Sequence, residues 1–171
     1  MYWIGFVVVC WLIADFLSGL GHWWEDRYAR EEWPILGPLV ATPNVRHHRE
    51  PTAFAATYLS RNSTTIVPAL LGVALLWLFC GNTHWLLVLV MVSQANEVHY
   101  WAHVKQGRLV EALQSTGLVQ SPAYHARHHR DPFDTRYCVM SCWLNPLLDL
   151  VGFWPALEWL VFITTGARPT R

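Results

Sequence analysis

Long apolar stretches alternate with polar connections along this chain of 171 residues. Three of them, at residues 2–21, 66–80 and 85–96, are apolar enough to form membrane-crossing helices. The last two are short for a hydrocarbon core about 30 Å thick, and the third reaches that length only if its helix covers residues 84–103. The polar turn at residues 81–84 would join the second and third stretches into an antiparallel helical hairpin.

The last apolar stretch, residues 143–165, differs because prolines and polar residues interrupt it. Asn145, Asp149 and Glu158 lie within it, while its apolar residues recur at near-helical spacing. This pattern favours an amphipathic helix in the membrane interface over a fourth span. The sequence therefore predicts an all-α integral membrane protein with about three transmembrane helices, folded as one domain over residues 1–171.

Composition and charge agree with a membrane environment. Hydrophobic residues make up 53% of the chain and charged residues only 14%. The formal net charge is zero, with 12 basic and 12 acidic side chains, so the overall balance does not indicate a nucleic-acid partner. Basic residues concentrate in the two long connections and are absent from the turn at 81–84, which predicts that those connections are cytoplasmic in a multi-pass protein.

Histidine is the informative excess, because eight of the nine fall into four groups on the predicted cytoplasmic side. The groups are His22, then His47 and His48, then His99 and His103, then His125, His128 and His129. The ninth, His84, lies in the opposite turn, and we expect no metal there. Helical residues three or four apart share a face, so the rings within a group can converge. Neutral imidazole is the commonest metal ligand, and it leaves iron, zinc, copper and nickel open.

A charged six-residue pattern surrounds each histidine pair, RHHREP at 46–51 and RHHRDP at 127–132. Two similar half-sites would suit two metal ions, although Asn44 stands where the second copy has His125. A metal-bound imidazole usually donates its free N–H to a carboxylate or another polar group. The candidate ligands or supporting groups are Asp26, Asn96, Asp15, Glu50 and Asp131. Asp15 could equally make a structural hydrogen bond inside the first apolar stretch.

Four motifs, in this order, resemble the Kua/CarF-type lipid desaturases. They are ADFxSGxxHWxxD at 14–26, HHxxPTA at 47–53, NxxHxWxH at 96–103 and HxxHH at 125–129. Members of that family are regarded as multi-span, histidine-box enzymes with two iron ions, and they include plasmanylethanolamine desaturases and plastid phosphatidylglycerol desaturases. The resemblance implies that the eight histidines are the iron ligands, with Asp26 as an associated acid. No catalytic side chain is assigned beyond these ligands.

The expected function is oxygen-dependent desaturation of a phospholipid chain, either an alkyl chain that becomes a vinyl ether or an acyl chain. Dioxygen is the co-substrate, and electrons come from an external cytochrome b5-like or ferredoxin-like donor. A di-iron lipid hydroxylase is the first alternative. A non-enzymatic membrane metal-binding or transport protein is the second, but it needs ligands on both faces, and the opposite turn offers only His84.

Overall fold

The computed structural model describes residues 2–54, 57–79 and 85–170, and within them the chain is helical with no β-strand. The helices are α1 (Tyr2–Arg27), α2 (Thr42–Arg49), α3 (Tyr58–Phe79), α4 (Trp85–Val92), α5 (Ala95–Trp101), α6 (Arg108–Ser115), α7 (Pro122–His125), α8 (Leu144–Leu150) and α9 (Phe153–Thr165), with a π-helical turn at Gly37–Ala41. The prediction of an all-α chain is confirmed for these residues.

Helix α1 is the one described helix that is long and apolar enough by itself to cross a membrane. One stripe of α1, including Cys10, Ala14, Ser18 and His22, is buried, while apolar residues on its other sides are exposed. The number of spans stays a prediction. The turn at 81–84, with His84, lies outside the described residues.

The third apolar stretch does not form one continuous helix. Helix α4 ends at Val92 and α5 begins at Ala95. The break frees backbone groups that a helix interior would pair, and the hydroxyl of Thr65 on α3 donates to the carbonyl oxygen of Ser93 at 2.9 Å. Helix α4 packs against both α1 and α3. After the break, α5 packs against α3 and also contacts α1, where the ring of His99 lies 5.2 Å from that of His22.

A non-helical segment, residues 137–141, packs directly on α1. A Cβ at Gly19 would lie 2.6 Å from the Sγ of Cys138, so only glycine permits this approach. The Oδ1 of Asp15 accepts from the backbone N–H of Met140 at 2.9 Å and of Ser141 at 3.2 Å. Its Oδ2 accepts from the Ser141 hydroxyl at 2.6 Å. Asp15 therefore anchors this segment to the middle of α1.

The C-terminal region, residues 137–170, begins and ends beside the C-terminal end of α1, which carries His22 and which we call the histidine end. Helices α8 and α9 meet at an angle of 61°, and only together are they long and apolar enough to cross a membrane. Gly152, between them, adopts a left-handed conformation with φ of 65°. Beyond the bend, Glu158 accepts from Arg27 at 2.6 and 3.3 Å, and the backbone N–H of Thr170 donates to the Arg27 carbonyl at 2.7 Å. The interfacial placement of this region stays a prediction.

Candidate metal centre

Five histidines from three separate parts of the chain converge at one point. The members of this five-histidine group are His47 from α2, His99 from α5, His103 just after α5, His125 from α7 and His129 just after α7. One ring nitrogen of each lies within 4.8 Å of the others. The Nε2 atoms of His99 and His125 are 2.8 Å apart, and those of His47 and His129 are 3.1 Å apart. The arrangement offers five nitrogen donors to one ion.

A second group adjoins the first and consists of His22, Asp26, His48 and His128. We call it the aspartate group. Asp26 lies one turn beyond His22 on α1, so both side chains leave the helix on the same face. Its Oδ1 lies 2.8 Å from the Nε2 of His48, and its Oδ2 lies 3.2 Å from the Nε2 of His128 and 3.7 Å from that of His22. The carboxylate is therefore at the centre of this group.

Backbone carbonyls determine which nitrogen of two of these rings carries hydrogen. His22 Nδ1 lies 3.2 Å from the carbonyl oxygen of Tyr137, and His128 Nδ1 lies 2.8 Å from that of Thr135. Because a carbonyl oxygen only accepts, each Nδ1 donates, and the neutral ring presents an Nε2 lone pair towards Asp26. The Asp26 Oδ2 is also an acceptor, so buried lone pairs face one another. A cation between them satisfies all of them, which fits a metal ion.

The five-histidine group favours neutral imidazoles. Burial lowers the pKa of His47, His125 and His129 well below the usual imidazole value, and neighbouring histidines lower it further. A buried Nδ1 on each of these three rings has no hydrogen-bond partner within the described part of the chain. Neutral imidazole is the form that coordinates metal, so the electrostatics suit ligation.

Each RHHR repeat contributes to both groups. His47 and His129 lie in the five-histidine group, whereas His48 and His128 lie in the aspartate group. The repeats therefore do not build one half-site each, because adjacent side chains leave the backbone in different directions. Asn44 has a separate part, since its Nδ2 donates to the Oδ1 of Asp26 at 2.7 Å.

The other candidate supporting residues lie outside both groups. Asn96 donates to the Arg61 carbonyl at 2.9 Å and to the Thr64 hydroxyl at 3.0 Å, both on α3. Asp15 anchors residues 137–141, as described above. Glu50 is exposed and pairs with Arg46 at 3.1 Å, and Asp131 is exposed on the loop after α7.

Sequence reasoning missed several residues that border the metal centre. The ring of Phe54 packs against His47 at a centroid distance of 4.8 Å, and the ring of Phe133 packs against His48 at 4.9 Å. Glu25 lines the cavities beside the centre. Glu25 precedes Asp26 on α1, and this position could have indicated that it lies near the centre. The direction of its side chain, however, depends on how α1 packs.

Known proteins resemble this chain along most of its length. It is 30% identical to plasmanylethanolamine desaturase of Myxococcus xanthus, over 96% of this chain and 62% of that protein. It is 32% identical to plasmanylethanolamine desaturase 1 of Mus musculus, over 92% of this chain and 64% of that protein. It is 31% identical to the chloroplastic fatty acid desaturase 4 of Arabidopsis thaliana, over 92% of this chain and 51% of that protein.

The chain thus spans between about half and two thirds of the length of these relatives. No solved structure matches it. Residues 11–171 match the family model described as lipid desaturase domain, which agrees with the resemblance carried by the histidine motifs. The chain therefore belongs to the lipid desaturase domain family.

Proposed function

We propose that this chain is a membrane-bound, oxygen-dependent lipid desaturase that holds two iron ions, one in each histidine group. The observation that carries the proposal is the pair of adjoining groups of buried donors, in a chain that belongs to a lipid desaturase family. Two of the relatives described above are a plasmanylethanolamine desaturase and a fatty acid desaturase. The substrate we propose is accordingly a phospholipid, with its alkyl chain converted to a vinyl ether or its acyl chain to an alkene.

Iron fits both the donor sets and the reaction. Imidazole and carboxylate ligands without thiolates suit iron, and five nitrogen donors exceed the usual four of a structural zinc site. Two bound iron ions would supply the reduction of dioxygen and the removal of hydrogen from unactivated methylenes, which no protein side chain can perform. One CH2–CH2 unit, one dioxygen, two electrons and two protons yield one double bond and two waters. The electrons must come from an external carrier of the cytochrome b5 or ferredoxin kind.

The protein's own part is to orient the ligands and keep water away. The carbonyls of Thr135 and Tyr137 fix the ring orientation of His128 and His22, leaving Nε2 free on each. The rings of Phe54 and Phe133 pack against His47 and His48 and cover the centre with apolar surface. This apolar cover restricts solvent access to the reacting atoms.

We further propose that the protein is multi-pass and that its histidine centre faces the cytoplasm. The arginines of both RHHR repeats lie beside the centre, and the positive-inside rule places such clusters on the cytoplasmic side. A centre at the end of α1 can receive electrons from one direction and lipid chains from the other.

Lipid profiling tests the proposed reaction. The protein is expressed in a host that lacks the product lipids, and its ether and acyl phospholipids are compared with those from His128→Ala and Glu50→Ala. We expect new lipids lighter by two hydrogens from the wild type and from Glu50→Ala, whose carboxylate is exposed outside both groups. His128→Ala should form none, because it removes a ligand of the aspartate group.

Other outcomes identify the alternatives. Products heavier by one oxygen atom would establish a lipid hydroxylase. An unchanged lipid profile from well-folded, iron-loaded wild-type protein supplied with a reductant would contradict desaturation and support a metal-binding role without catalysis.

A further inference from the structure

An apolar cavity between α1, α3, α4 and α5 ends at the metal centre. Its volume is about 290 Å³, close to the lower end for small-molecule sites. On α1 its lining begins at the apolar Leu17 and ends at the polar Glu25, about 12 Å further along at 1.5 Å per residue. On α3 it runs from the apolar Ala69 to the polar Thr64. Glu25 and Thr64 therefore lie at the same end of the cavity, whereas Ser18, near the apolar end, donates its hydroxyl to the Asp15 carbonyl at 2.7 Å.

Helices α4 and α5 repeat this gradient. Leu89 and Val92 of α4 line the apolar end, whereas Asn96 and His99 of α5 line the polar end. The wall formed by α4 and α5 changes from apolar to polar at the break between these two helices. A ligand that fills the cavity must therefore be apolar along most of its length.

The polar end presents one ring from each metal group. His22 belongs to the aspartate group and His99 to the five-histidine group, and both line the cavity. Their ring centroids are 5.2 Å apart. A chain that reaches this end therefore lies against both groups at once.

The mouth of the cavity lies between α1 and α3. Each of these helices packs against α4, but they scarcely touch each other. Leu17, Gly21 and Pro68 line this gap and are exposed, whereas Ala69 and Ala95 are buried deeper in the wall. A Cβ at Gly21 would meet nothing within 4 Å, so a larger side chain there would project into free space at the mouth.

We propose that this cavity binds one hydrocarbon chain of a phospholipid, admitted sideways from the bilayer between α1 and α3, and that Gly21 keeps its mouth open. The proposal rests on the proposed function, because it assigns that reaction's substrate to a site. A methylene chain matches the apolar walls formed by Leu17, Ala69 and Leu89, and its burial supplies the binding free energy. The gap lies beside α1, the helix long enough to cross a bilayer.

Photo-crosslinking tests the site without requiring turnover. Purified protein in nanodiscs is irradiated with phosphatidylethanolamine carrying a diazirine in an ether-linked chain, or in an acyl chain in a parallel arm, and labelled peptides are mapped by mass spectrometry. We expect labels on the peptides that contain Leu17 and Leu89. In Gly21→Phe, this labelling should fall about tenfold, because the phenyl ring takes the space of several methylene groups whose burial the chain then loses. The preferred arm identifies the kind of chain.

Gly5→Phe is the matched control, since Gly5 lies on the same helix, also meets nothing within 4 Å and lines no cavity described here. It should keep wild-type labelling, and both variants should keep their iron. If Gly21→Phe does not fold, Ala69→Leu narrows the cavity from α3. Wild-type labelling in a folded Gly21→Phe or Ala69→Leu protein, or labels confined to outer helix surfaces, would overturn the proposal. If the cavity peptides are labelled but lipid profiling finds no product, the chain-binding site is supported and the proposed desaturase function is contradicted.

Discussion

Asp26 is the single carboxylate on which three imidazoles converge, and its charge is the property to test. Asp26→Asn keeps the oxygen that accepts from Asn44, and its amide can donate to the lone pair of His128. The fold should therefore persist while the aspartate group loses its anionic ligand. We expect iron per folded chain to fall to about half, and desaturation to be lost. Elemental analysis of the purified variant measures the metal.

Glu50→Gln makes the same chemical change on an exposed carboxylate outside both groups. It should retain full iron content. Full iron content in Asp26→Asn as well would show that Asp26 is not a ligand.

Asp15 should act on stability rather than on metal binding. Asp15→Leu removes the acceptor for two backbone N–H groups and the Ser141 hydroxyl. We expect it to lower the free energy of unfolding by about 3 kcal/mol, because these buried donors lose their partner. Asp15→Asn should cost less, since its amide oxygen still accepts. Denaturant unfolding in detergent measures both, and iron loss from a variant of unchanged stability would contradict this assignment.

At the residue scale, sequence could predict contacts within one helix turn but not contacts between distant segments. His22 with Asp26, and His99 with His103, are four residues apart, and their shared face follows from helix geometry. The partner of Asp15 lies 126 residues away at Ser141, and no periodicity encodes that distance.

At the element scale, the two ends of the C-terminal region predict a labelling pattern. Tyr137 and Thr170 both lie at the histidine end of α1, although α8 and α9 lie between them. Thr170→Cys and Arg130→Cys should therefore react with a membrane-impermeant maleimide from the same side. The measurement uses sealed vesicles of each orientation and a protein background in which the native cysteines have been replaced. Reaction from opposite sides would show that residues 143–165 cross the membrane.

The break between α4 and α5 shows why the hydrophobic pattern of the sequence could not predict where a helix ends. Apolar residues continue up to Val92, and the residues that follow can also be helical. The helix ends there because Thr65 on α3 supplies a partner for the freed Ser93 carbonyl. That compensation exists only after α3 and α4 have packed together.

At the scale of the whole molecule, iron should stabilise the fold as well as act in catalysis. The proposed ligands come from α1, α2, α5, α7 and the turns that follow α5 and α7, so the native state binds ions that an unfolded chain holds weakly. At free iron about a thousandfold above the dissociation constant of each site, the free energy of unfolding should rise by about 4 kcal/mol for each bound ion. Thermal unfolding of anaerobic protein with iron(II) or with a chelator measures this, and equal midpoints would contradict it.

The sequence predicted eight histidines as metal ligands, and the structure shows that these eight lie in two adjoining groups. The motifs and the positive-inside pattern predict, from sequence alone, that eight imidazoles lie at one end of the molecule. The assignment of His47 and His48 to different groups depends on the rotation of α2 against α1, which is a packing property. The chain-binding cavity also depends on packing, since four helices form its walls.

The division of each RHHR repeat between the two groups has a consequence for metal uptake. His47 and His48 are adjacent on α2, and His128 and His129 are adjacent after α7. An ion that immobilises one member of each pair also fixes the backbone that carries the other, which lowers the entropic cost of the second site. Loading is therefore expected to be cooperative, with few molecules carrying a single ion during a titration.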